Sequence, residues 1–108
     1  MLTAPRAVLA ALLIASAGSA SAAGDVEAGR TKANTCMGCH GIPNYTNAYP
    51  TYRVPRLGGQ HPEYIVTALK EYRSGNRAHP TMHAQALSMS DQDIEDIAAY
   101  LAKAPAHK

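Results

Sequence analysis

Residues 36–40 read Cys36-Met37-Gly38-Cys39-His40, so the two cysteines of this 108-residue chain stand three positions apart with a histidine directly behind them. At this spacing each thiol can add across one vinyl group of a haem to give a thioether, and the next residue falls beside the iron as an imidazole ligand. Two tethers and an axial base in one short string read as a haem-attachment site. Cys36 and Cys39 are the covalent anchors in this reading, and His40 is the proximal ligand. Other uses of paired thiols fit less well. A structural zinc site seldom takes three ligands from so crowded a string. A thioredoxin-like redox disulfide expects a βαβ setting, and no such pattern surrounds the pair.

Towards the amino end, Met1 to Arg6 is short and basic, and Ala7 to Ala17 is a run of small, mostly apolar residues. Ala20-Ser21-Ala22 then offers an A-x-A cleavage signal. This order describes a secretory signal peptide whose apolar part is too short to anchor in a bilayer. The expected organisation is a signal peptide at 1–22 and one exported domain at 23–108, with no stable membrane anchor. After cleavage roughly 86 residues remain, a size at which burial alone gives marginal stability. The chain also has no Phe and no Trp. A covalently held porphyrin would supply the missing large apolar body. The haem is therefore expected to be core as well as cofactor, and the chain without it largely unfolded. A formal net charge of +2 gives nothing like the basic surface of a nucleic-acid binder.

Local signals predict helices around this site. Asp25 suits an N-cap, and Val26, Gly29, Ala33 and Cys36 recur on one face, so a first helix is expected from Val26 to about Met37. Gly38 is expected to loosen the chain between the thiols. Gly29 inside a helix costs up to ~1 kcal/mol relative to Ala, which points to close helix approach. Gly41 to Gln60, rich in Pro, Gly, Asn and Tyr, reads as a long loop around a cofactor edge, with Tyr45, Tyr49 and Tyr52 in it. Pro62 suits a first helical position and Gly75 the residue past a helix end, with Ile65, Ala68, Leu69 and Tyr72 as the stripe between. Glu63, Lys70, Glu71 and Arg73 are expected in solvent. Asn76 to Met89 looks irregular. The last helix opens at Ser90 with Asp93 three residues on, carries Ile94, Ile97, Ala98 and Leu101, and stops at Pro105. The predicted class is all-α, three main helices with loops around one haem and no strand-like alternation.

An iron held by His40 has a further position to fill. Met82, His79, His83 and Met89 all lie in the right part of the chain, and an open site is the remaining option. A thioether raises the potential, whereas a second histidine lowers it. Met82 sits where the chain can bend towards iron, with Pro80 limiting its freedom. Met89 directly precedes a helix cap, a place from which hydrophobic residues pack back on the helix. Met82 is the favoured candidate.

The chain resembles the class I c-type cytochromes, and is most similar to one half of the bacterial periplasmic diheme cytochromes c. The matching stretches are Gly24-Asp25 with Gly29, the string 36–40, Pro55 to Gln60, Tyr64, and Met89 to Tyr100. The resemblance implies a small cytochrome c fold with one covalently bound haem c. It places thioethers on Cys36 and Cys39 and the proximal ligand on His40. The group's distal methionine, eight residues before the helix-capping serine, falls on Met82. The proline whose carbonyl accepts the ligand histidine's ring N–H falls on Pro55, and the first and last helices are expected to cross at Gly29 and Tyr100. Two departures stand out. Ile42-Pro43-Asn44-Tyr45 replaces the usual turn after the histidine, and the domain is expected to stand alone rather than in tandem.

The implied function is single-electron shuttling in the periplasm, without enzymatic turnover. Transient redox partner proteins would dock at the haem edge near Met37, Gly41 and Ile42, and the protein is expected to be a monomer. Arg53 and Arg56 either screen the haem propionates or are plainly solvated. A second reading is a haem c subunit of a periplasmic dehydrogenase or oxidase complex. A third is an enzyme or sensor with an open iron site.

Overall fold

The computed structural model describes Thr3 and residues 24–105, so the expected signal peptide at 1–22, Thr3 apart, lies outside the described residues. The chain enters helix α1 (Val26–Lys32) through Asp25, whose carboxylate accepts the N–H groups of Glu27 at 2.9 Å and Ala28 at 3.4 Å. The expected continuous helix to Met37 is interrupted. Ala33, at φ −80° and ψ 0°, ends α1, and the chain re-enters helix as α2 (Asn34–His40). Asn34 and Thr35 are weak helix formers, and Ala33 is fully buried, so a bend here keeps its methyl in the core. α2 then runs through both cysteines to His40. Gly38, expected to loosen this stretch, is helical instead, and a methyl there would meet no protein atom.

The long loop contains a small ladder that period-two alternation was too short to announce. β1 (Thr46–Asn47) pairs antiparallel with β2 (Tyr52–Arg53), Thr46 opposite Arg53 and Asn47 opposite Tyr52. Asn47 Nδ2 donates to the Pro50 carbonyl at 2.8 Å, and the Val54 N–H to Tyr45 O at 2.9 Å, so the turn and the exit strand are both tied.

α3 (Pro62–Ser74) starts and stops where its proline and glycine predicted. Gly75 takes φ 85°, a left-handed conformation open to glycine at little cost, and its N–H bonds Tyr72 O at 3.2 Å. Arg73, expected in solvent, donates to Met89 O at 3.0 Å and to the Asp91 carboxylate at 2.6 Å, fixing the approach to the last helix.

The stretch expected to be irregular holds a further helix, α4 (Pro80–Ala86), capped by His79. Seven residues are too few for an apolar stripe to stand out, and histidine is not a usual cap. α5 (Asp91–Lys103) begins with the capping box: Ser90 Oγ accepts the Asp93 N–H, and the Asp93 carboxylate accepts the Ser90 N–H, each at 3.0 Å.

The core joins Ala33, Ile65, Leu69, Ile94, Ile97, Ala98 and Leu101, which the sequence stripes had nominated. α5 is its central element, with α1 and α3 packed on it and α4 packed on α3. At the α1–α5 crossing a Cβ on Gly29 would collide with the Asp96 carbonyl and sit 2.8 Å from the Tyr100 Cβ. Asp96, unremarked in the sequence, is a buried carboxylate there. It accepts from Lys32 Nζ at 2.6 Å, the Asp25 N–H at 2.8 Å and Gln92 Nε2 at 2.9 Å. The fold is all-α, with five helices and one short ladder among the described residues.

Candidate functional site

The elements converge on one cleft of about 240 Å³. Cys36, Cys39 and His40 line it from α2, and Met82 from the first turn of α4. Ile65, Leu69, Ile97 and Leu101 form apolar wall, and Arg53, Arg56 and Arg77 line it as well.

Both thiols are free and half-buried. Burial pushes the Cys36 thiol above its ordinary 9.0, with a smaller opposing hydrogen bond from Thr35. A thiol–disulfide exchanger needs the reverse, a depressed thiol. Cys36 is in this respect unlike the attacking thiol of such an exchanger.

His40 Nδ1 lies 2.6 Å from the Pro55 carbonyl oxygen. A carbonyl only accepts, so Nδ1 carries the hydrogen and donates. Nε2 is left with its lone pair, the form in which imidazole binds a metal, and the contact fixes the ring's orientation. Pro55 follows Val54, which is buried and held by its N–H bond to Tyr45 O, so the accepting carbonyl has a rigid base.

The other candidates separate by position. Met82 is half-buried and packs on the core while lining the cleft. Met89 packs on the same core but is not among the residues that line the cleft. His83 spends Nδ1 on Tyr72 O, donating at 2.7 Å, and it too is absent from the lining. His79 does line the cleft, with Nδ1 accepting the Met82 N–H at 3.3 Å. The cleft thus gathers Cys36, Cys39, His40, Pro55 and Met82, which the sequence had nominated, and Arg53 and Arg56 with them.

Sequence reasoning missed an aromatic and cationic cluster at the same site. The His79 ring meets Tyr52 edge-on at 4.8 Å and Tyr72 at 5.9 Å between centroids. The Arg77 guanidinium lies 4.7 Å from the Tyr72 ring centre and donates to the Tyr64 hydroxyl at 3.3 Å. These residues come from the ladder, α3 and the α3–α4 link, and no local pattern connects them.

This donor set fits a haem c. Two thiols stand at attachment spacing, an imidazole offers a committed lone pair, and a soft thioether shares the cleft. Much of the wall is apolar, and the guanidiniums that line it are of the sign that suits the two carboxylates such a group carries.

Comparison with known proteins agrees with the geometry. The cytochrome c family pattern matches residues 26–105. A cytochrome c4 of Thiocapsa roseopersicina is 43% identical over 83 residues, covering 76% of this chain and 41% of that protein. Cytochrome c-554(548) of Halomonas halodenitrificans is 43% identical over 81 residues, covering 72% of this chain and 94% of that one. The solved cytochrome c4 of Acidithiobacillus ferrooxidans superposes with a TM-score of 0.60 at 29% identity, over 78% of this chain and 52% of its own. The chain therefore spans less than half of the first relative and nearly all of the second. With most of the described residues inside the pattern, the chain belongs to the cytochrome c family, as a class I c-type cytochrome similar to one half of the diheme cytochromes c4.

Proposed function

We propose that this protein carries single electrons in the periplasm through one covalently attached haem c, with His40 and Met82 as its two axial ligands. The observation that carries the reading is the meeting of Cys36, Cys39, His40 and Met82 in one apolar cleft, with His40 Nδ1 already committed to Pro55. When bound, the haem supplies a one-electron ferric–ferrous couple.

The residues around it set what that couple does. Cys36 and Cys39 hold the group on α2, and Pro55 holds the His40 ring and makes it the better donor. The Met82 thioether is soft and favours the ferrous state, as do walls that exclude water, so the potential is expected to be clearly positive. Were His40 and Met82 both to hold the iron, a substrate would have no route to it, and the protein would act as a carrier rather than an enzyme. Arg53, Arg56 and Arg77 line the cleft and would offset carboxylate charge on a bound haem. Ile42, 42% exposed next to Gly41 and Met37, gives partner proteins a small apolar landing site. Small contacts of this kind suit brief redox encounters of a monomer, with charge setting the on-rate. Residues 1–22 direct export and are removed, so sequencing of the mature protein should begin at Ala23.

The test is an optical spectrum of ferric protein matured by the haem-attachment machinery. A near-infrared sulfur-to-iron band is expected, lost in Met82→Ala and kept in Met89→Ala, and acid acetone should leave the colour on the chain. A band lost in Met89→Ala instead, or rapid carbon monoxide binding to the reduced native protein, would overturn the ligation. Stable co-elution with a dehydrogenase would make the protein a fixed subunit rather than a free shuttle.

A further inference from the structure

α4 is held at the cleft by an unusual cap. His79 stands before it in extended backbone, φ −159° and ψ 99°, and its Nδ1 accepts the N–H of Met82, the third residue of the helix. Pro80, the first residue, has no N–H to offer, so the orphan donors of this turn begin at Thr81. Acceptance at Nδ1 places the ring hydrogen on Nε2. The imidazole is restrained from two sides. Tyr52 of β2 meets it edge-on at 4.8 Å, and Tyr72 of α3 at 5.9 Å. At the other end of the turn His83 ties α4 to α3 by donating to Tyr72 O. The residue that binds the backbone of Met82 is therefore itself fixed by two elements outside α4.

Resting on the reading of Met82 as the distal ligand, we propose that His79 is its positioning residue. Its Nδ1 keeps the first turn of α4 closed so that the thioether stays presented to the cleft. Tyr52 and Tyr72 keep the ring in the capping orientation.

The experiment uses matured ferric holoprotein and three substitutions. His79→Ala removes cap and ring, His79→Asn restores a good cap without the ring, and His79→Phe keeps a ring without the acceptor. Cyanide reaches the iron only when Met82 leaves it, so its association rate reads how often the turn opens. Loss of an N-cap should raise that rate about fivefold in His79→Ala and His79→Phe, with His79→Asn close to wild type. The sulfur-to-iron band should weaken in the first two in parallel. An unchanged rate in His79→Ala, rescue by Phe rather than Asn, or equal acceleration in all three would each overturn the assignment. If His79→Ala fails to mature, the Asn–Phe pair alone decides. A wild-type band that vanishes in Met82→Ala while the His79 variants stay silent removes this inference alone. A band that survives Met82→Ala removes both readings.

Discussion

Asp96 shows how one residue ties the ends of the domain together and gives the fold a pH dependence. Its side chain is 3% exposed, yet three donors from α1, its N-cap and α5 itself surround it. Lys32 first, then the Asp25 N–H and Gln92, lower its carboxyl from the ordinary 3.8 to about 2. A depressed acid stabilises the fold above its unfolded pKa, and that stability is lost as pH falls through the folded one. The window here runs from about 4 down to about 2, and the full effect amounts to roughly 2 kcal/mol. Asp91 and Asp93 are lowered too, by Arg73 and by the Ser90 cap, so they add to the same acid limb. Asp96→Asn is therefore expected to lower the melting temperature of the holoprotein at neutral pH. It should also flatten, without abolishing, the decline between about pH 4 and pH 2. Melts that keep the wild-type slope in the variant would place the acid sensitivity elsewhere.

Among the elements, the α1–α5 crossing depends on backbone approach rather than on side-chain volume. A methyl at Gly29 meets the Asp96 carbonyl, which belongs to a helix and cannot swing away. Gly29→Ala gains up to ~1 kcal/mol of helix propensity. Against that stands overpacking of about 1–3 kcal/mol, at its upper end where the obstacle is backbone. The net expectation is destabilisation, read as a lower denaturant midpoint with an unchanged slope. A midpoint that rises would mean the helices can separate at no cost, and the crossing would lose its role. Ends of elements tell a similar story. α5 and α3 are closed by signals that local chemistry makes explicit, a serine–aspartate box and a left-handed glycine. α4 depends on an imidazole cap that works because α3 and β2 hold the ring.

At the scale of the whole molecule, the protein core is thin. The largest fully buried side chains are Ile94, Ile97 and Leu101, and the chain has no Phe or Trp to join them. Cys36, Met82, Ile65, Leu69, Ile97 and Leu101 face one cleft, so the cofactor would complete the apolar interior that these residues begin. Conformational entropy lost on folding is of the same order as burial gains, and a small domain short of apolar contacts falls on the unfolded side. The Cys36→Ala, Cys39→Ala double variant is therefore expected to lack a cooperative thermal transition by far-ultraviolet circular dichroism. A sharp melt in that variant would show that the polypeptide closes its own core, and the haem would be cargo rather than structure.

Much of this was written in the local chemistry of the chain. The stripes of α3 and α5 and their caps each depend on neighbours a few positions away, and the sequence by itself determined them. What it left open were relations between distant segments. The bend at Ala33 depends on what its methyl packs against. The ladder is two residues long and exists only because its strands find each other. The cap of α4 and the burial of Asp96 need partners from other elements. Pro55 was placed by likeness to relatives, and only tertiary structure set its carbonyl 2.6 Å from His40. The physical reason is range: helix propensity and capping act within a turn or two, whereas hydrogen bonds and ring contacts across the fold form only after those turns have packed.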